Sequence, residues 1–102
     1  MKVKNVQGIS RIVLTPKAIC FCPLGNDWYT NEFTITLEPS DYFPDYCDVE
    51  KWMDENIRGK SLIIEDAINN LYTYFEEEYK PLSLTVSSFA NSRVHAPVTV
   101  TK

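Results

Sequence analysis

Asn31-Glu32-Phe33-Thr34-Ile35-Thr36-Leu37-Glu38 carries the clearest period-two pattern in the chain. Phe33, Ile35 and Leu37 fall on one side, and Glu32, Thr34, Thr36 and Glu38 on the other. Strict alternation of this kind predicts a strand over 31–38 with one face turned to a core. Upstream, residues 9–21 read as extended structure broken once. Ile9, Arg11 and Val13 alternate with Ser10, Ile12 and Leu14, Pro16 breaks or bulges the run, and Ala18-Ile19-Cys20-Phe21 resumes it. Between the two runs lies Cys22-Pro23-Leu24-Gly25-Asn26-Asp27-Trp28, whose Pro, Gly, Asn and Asp force the backbone to turn. The runs are therefore expected to pair antiparallel through that turn.

This arrangement puts a thiol at the mouth of a loop with a carboxylate a few residues on. A strand end beside a loop is where a rigid scaffold can offer a reactive group. Cys22 is the candidate nucleophile and Asp27 its candidate acid/base partner. A lone Cys at a strand end also serves as packing. Nothing in the sequence guarantees the helix N-terminus or cation that would keep a thiolate at neutral pH.

Downstream, Pro39-Ser40-Asp41-Tyr42-Phe43-Pro44-Asp45-Tyr46 is too rich in Pro and Asp for regular structure. Its aromatics are expected to cover a core edge or touch a neighbouring subunit. Asp48 is expected to cap a short helix bearing Val49, Trp52, Met53 and Ile57 on one side, with Gly59 as its C′ residue. Ser61 is the expected N-cap of a second helix over 62–79, with Ile64, Ile68, Leu71, Phe75 and Tyr79 as its apolar stripe. Glu76-Glu77-Glu78 oppose the macrodipole at its end, a small cost that Lys80 partly offsets, and Pro81 stops it. A hairpin follows. Leu82, Leu84 and Val86 alternate with Ser83, Thr85 and Ser87, Ala90-Asn91-Ser92-Arg93 turns, and 94–101 returns with Val98 and Val100 facing in. Pro97 suggests an edge position or a bulge there. The order ββααββ predicts an α+β fold: an antiparallel four-stranded sheet with two helices on one face, in a single domain over 1–102.

Apolar residues make up 44% of the 102, enough for one core, and this argues against disorder. A net charge of −4 leaves no general nucleic-acid-binding field, and the cluster Lys2, Lys4 and Arg11 reads as a solvated tail. The three cysteines, an odd number with no apolar signal segment before them, fit a reducing cytoplasm. No apolar run is long enough to span a membrane, so a soluble, cytoplasmic protein without membrane partners is expected.

Cys20-x-Cys22 invites a metal, but a closed zinc site needs four ligands, and only Cys47 and His95 remain of the usual type. Cys20 and Cys22 are expected to point to opposite faces of their strand, so no metal site is expected. His95 reads as a surface or edge residue. Glu65 lies in the first turn of the longer helix, where backbone N–H groups and the dipole favour an ionised carboxylate. Such a carboxylate accepts two parallel N–H bonds and matches a guanine-like edge. With Asp66 it also simply favours the helix start.

Several of these features together resemble the 7-cyano-7-deazaguanine reductase family, and more closely its short archaeal relatives, the QueF-like archaeosine synthases. They are Cys22-Pro23 ending an extended run, Asp27-Trp28 leading into an alternating strand, Arg58-Gly59, the Glu65 helix and the final hairpin. The resemblance covers about 9–101. It implies the T-fold (tunnelling fold), whose ββααββ subunits assemble into barrels with active sites between subunits. It further implies that Cys22 attacks the nitrile carbon to form a thioimide, that Asp27 handles the proton, and that Glu65 anchors the base. Ser61 is assigned with Glu65 to substrate binding. In the family the reductases deliver two hydrides from NADPH, whereas the archaeal relatives let ammonia attack the thioimide, giving the formamidine of archaeosine on tRNA.

The sequence departs from the family pattern in three places. The Cys22-to-Asp27 spacing is two residues shorter than usual, Ile64 stands where a His generally precedes the Glu, and the NADPH signature survives only as Lys60-Ser61-Leu62. The expectation is therefore conversion of 7-cyano-7-deazaguanine, on tRNA, on DNA or as the free base, with ammonia as co-substrate and no cofactor. The alternatives are an NADPH-dependent nitrile reductase and a T-fold protein without activity. The resemblance also implies a homo-oligomer, a decamer of two pentamers.

Overall fold

The computed structural model describes residues 1–102. In chain order the elements are β1 (Lys2–Lys4), β2 (Ile12–Leu14), β3 (Lys17–Cys22), β4 (Asp27–Glu38), β5 (Tyr42–Pro44), α1 (Tyr46–Asn56), α2 (Ile64–Tyr79), β6 (Ser83–Asn91) and β7 (Val98–Thr101). β4 is the central strand, longer than its most regular part suggests because the turn ahead of it closes at once. Asn26 takes a left-handed backbone (φ 52°), and pairing resumes at Asp27. On one side β4 pairs antiparallel with β2 and β3, on the other with β6, and β7 completes the sheet beside β6. β2 and β3 share one strand position interrupted at Pro16, where Phe33 N–H donates to the Pro16 carbonyl at 2.9 Å. The sheet thus has four strand positions with both helices on one face, as the ββααββ order predicts.

The period-two residues Phe33, Ile35 and Leu37 are buried against α1 (Val49, Met53), Ile57 just beyond its end, and α2 (Ala67, Ile68, Leu71, Phe75, Tyr79), with Val86 from β6. Each fully buried side chain of this size contributes about 1.5–3 kcal/mol. That burial outweighs the weak propensities of the two helices.

Several local expectations are corrected. The cap of α1 is Asp45, not Asp48: Asp45 Oδ1 accepts from Cys47 N–H at 2.9 Å, because β5 ends at Pro44 and leaves Asp45 extended. Asp48 sits in the first turn and pairs with the N-terminal amine. Ser61 does not cap α2. Its segment is held extended along β3, with Phe21 N–H donating to the Lys60 carbonyl (2.9 Å) and Leu62 N–H to the Phe21 carbonyl (3.0 Å). The cap position falls to Ile63, which has no side-chain oxygen to offer.

Gly59, with φ 74°, makes the turn that lays this segment down, and its N–H reaches the Ile19 carbonyl at 2.8 Å. The N-terminus is not a solvated tail and 39–46 is not wholly irregular, since β1 pairs antiparallel with β5. Asn91 belongs to β6 and the turn shifts to 92–97, because buried Ala90 stays paired with Val98. Val98 lies on the inward side of the edge strand but remains 37% exposed.

Candidate active site

At the end of β3, Cys22 stands directly opposite Asp27 in the β3–β4 register, one pair beyond Phe21 and Trp28 and two beyond Cys20 and Tyr29. Residues opposite one another in an antiparallel ladder share a face, so the thiol and the carboxylate lie side by side. Period two also places Cys20 and Cys22 on the same, helix-covered face. This overturns the expectation that they point apart. The two thiols nonetheless differ in kind. Cys20 is fully buried, donates to the Ile57 carbonyl at 3.3 Å, and burial pushes its thiol up despite hydrogen bonds from Tyr29 and Asn31. Cys22 is half-buried and accepts from Gly25 N–H at 3.3 Å. Cys47 is exposed on α1.

Both oxygens of Asp27 are engaged. Oδ2 accepts from Arg93 Nε at 2.7 Å and Oδ1 from Trp28 N–H at 2.8 Å. The Arg93 hydrogen bond, then the Trp28 amide, hold its carboxyl below the ordinary carboxylate value, so Asp27 is an ionised acceptor at neutral pH. Next along the same face, the Tyr29 hydroxyl donates to the Leu62 carbonyl at 2.5 Å, and burial pushes it well up. It stays a neutral donor. Behind it, Ser88 Oγ donates to buried Asn31 Oδ1 at 2.8 Å.

Glu65 and Ser61 reach this region through backbone. Because Lys60 and Leu62 bond to Phe21, the residue before Cys22, the start of α2 is drawn to the end of β3. Glu65 is exposed in the first turn of α2, and Ser61 is exposed on the bridging segment. Ile64, ahead of Glu65, packs against the core and supplies no polar group.

The largest cavity, about 630 Å³, lies at Ile19, Trp28 and Thr30 on the opposite face of the sheet, with Arg58 and Gly59 at its rim. It contains neither Cys22 nor Glu65. His95 is exposed in the 92–97 loop.

No protein-family model matches the sequence, and no curated protein matches it. Among solved structures, the crystal structure of the archaeosine synthase QueF-Like in the apo form superposes with a TM-score of 0.83 over 92% of each chain, at 17% sequence identity. The chain has the T-fold. Within that T-fold Cys22, Asp27 and Glu65 remain the candidates that the sequence pattern singles out, and Arg93 and Tyr29 are neighbours of the Cys22 end of β3 that it does not mark as candidates. Tyr29 is in phase with Phe33, Ile35 and Leu37, a signal that marks it as inward-facing. Arg93 lies 66 residues from its partner and gave no local signal.

Proposed function

We propose that the chain converts the nitrile of 7-cyano-7-deazaguanine to a formamidine, with Cys22 as nucleophile and ammonia as co-substrate. The observation that carries this reading is the pairing of Cys22 with Asp27 at the end of β3, beside the segment that opens α2. The T-fold shared with an archaeosine synthase supports it. In the first step Cys22 sulfur bonds to the nitrile carbon, and its proton passes through the Asp27 carboxylate to the nitrile nitrogen, leaving a thioimide. Ammonia then adds to the same carbon. Collapse of the tetrahedral adduct breaks the carbon–sulfur bond, restores the thiol and releases the formamidine. Glu65, at the start of α2, accepts from the ring N–H and amino group of the base, and exposed Ser61 lies on the substrate side.

The test is incubation with ammonium and the nitrile base presented free, on tRNA or on DNA, followed by mass spectrometry of the base. Gain of one ammonia on any of the three supports the reading and names the substrate. Unchanged nitrile on all three, with ammonium in excess, would overturn it.

A further inference from the structure

One hydrogen bond ties the 92–97 loop to the first residue of β4, and the loop lies close over the turn that precedes it. Arg93 Nε donates to Asp27 Oδ2 at 2.7 Å. On the same turn, a Cβ added to Gly25 would lie 3.3 Å from Val94 Cγ2 and 3.7 Å from Cys22 Sγ. Gly25 is therefore held between the loop and the thiol, with its N–H already on that sulfur. Loop, turn and thiol form one stack. The Arg93 side chain is 84% exposed and that of Asp27 only 18%, so the cation reaches in from solvent and can withdraw without unpacking the core.

We propose that Arg93 is a positioning residue of the Cys22 site: it holds the Asp27 carboxylate in place opposite the thiol and ties the 92–97 loop across the turn. The role rests on the nitrile chemistry proposed above. Transfer of the Cys22 proton begins with an ionised carboxylate, which Arg93 favours, and the same cation weakens Asp27 as a base, so the proton moves on to the nitrile nitrogen. The groups facing Asp27 are Cys22 from β3 and Arg93 from the loop. Tyr29, next on its own strand, is kept neutral by burial, and Arg93 is the charge paired with the carboxylate.

The experiment compares wild-type protein with Arg93→Gln and Arg93→Lys in two readouts. One is the carboxyl carbon titration of Asp27 by NMR. The other is the pH dependence of covalent adduct formation between Cys22 and 7-cyano-7-deazaguanine. Arg93→Gln is expected to move both the Asp27 midpoint and the acid limb of the rate profile to higher pH, and Arg93→Lys to restore part of both shifts. An Asp27 midpoint unmoved in Arg93→Gln overturns the inference, as does a moved midpoint with an unmoved acid limb, which would leave the pair purely structural. If wild-type protein forms no adduct, the thioimide chemistry falls and the positioning role falls with it. The wild-type Asp27 titration still separates that failure from loss of the Arg93 contact.

Discussion

Cys22 and Asp27 occupy the last rung of the β3–β4 ladder, side by side on the face that carries buried Cys20 and Tyr29. Their separation is thus set by hydrogen-bonded strands and not by two independent loops. The short spacing between them serves the same end: with 23–26 as the turn, residue 27 is the first that pairs with residue 22. Under the proposed nitrile chemistry, a carboxylate and a thiol held on one rung would save the cost of bringing the two groups together.

Covalent capture follows from that rung. Incubated with 7-cyano-7-deazaguanine, the intact protein should gain the mass of one whole base. The adduct should vanish in Cys22→Ala and persist in Cys20→Ala and Cys47→Ala. Cys20 is sealed in the core and Cys47 lies away on α1, so an adduct mapped to either would overturn the site assignment.

The Asp27–Arg93 contact should make stability depend on pH in one direction. Arg93 holds the folded-state carboxyl below its ordinary 3.8, so on acidification the unfolded chain takes up this proton before the folded one does. The contribution is fully present above 3.8 and is lost as pH falls through the folded value. Wild-type protein should melt slightly above Arg93→Gln at neutral pH, the two should converge in acid, and added salt should narrow the gap. A melting difference that stays constant down to the acid limit would assign it to loop packing instead.

The sheet and both helices were legible because each rests on a repeated signal. Phe33, Ile35 and Leu37 recur at two, and Ile64, Ile68, Leu71, Phe75 and Tyr79 at three to four. Single-residue decisions were less so. Asp45 and Asp48 are both plausible caps by type, and the choice falls to Asp45 because β5, invisible as a three-residue strand, ends just before it. Ser61 lost its expected role to hydrogen bonds from β3, forty residues away in sequence. In the candidate site the turn chemistry of Pro23, Gly25 and Asn26 pointed to Cys22 and Asp27. Arg93 reaches them only through the pairing of β6 with β4, a long-range fact that no local window contains.

Glu65→Gln should weaken binding of the nitrile base while leaving the fold intact, since Glu65 is exposed in the first turn of α2. The amide presents a donor toward the base's own donors. A lost charge-assisted hydrogen bond costs about 1.5–3 kcal/mol, roughly ten- to a hundredfold in affinity. Titration calorimetry on a Cys22→Ala background reads binding without the covalent step. Equal affinity there would place the base anchor elsewhere.

Neither NADPH nor NADH should be consumed when the nitrile is present. The reductase signature is reduced to Lys60-Ser61-Leu62, and two of these three residues have their backbone committed to Phe21, which leaves little with which to hold a dinucleotide. Steady, substrate-dependent loss of NADPH absorbance would move the chain to the reductase class.

The sheet face that the helices leave open bears on assembly. Small polar residues Thr34, Thr36, Thr85 and Ser87 line its centre in cross-strand pairs. Around them Val13, Ile19, Trp28 and Phe89 are each between 44% and 57% exposed, more large apolar surface than a solvated sheet face requires. The edges differ as well. β3 is covered by the segment that bonds Lys60 and Leu62 to Phe21, whereas β2 and β7 each pair on one side only. Unpaired edges at the two ends of one sheet suit head-to-tail strand pairing, which closes into a ring when each addition turns through a fixed angle. We expect such a ring, in the form of a decamer of two pentamers, with the Cys22 site completed by the adjacent subunit. Sedimentation at micromolar concentration measures it directly, and a charged residue at an exposed position of β7, Thr99→Glu, should shift the protein toward monomer and lower adduct formation in parallel. Full activity in a species of 11.8 kDa would remove both the ring and the shared site.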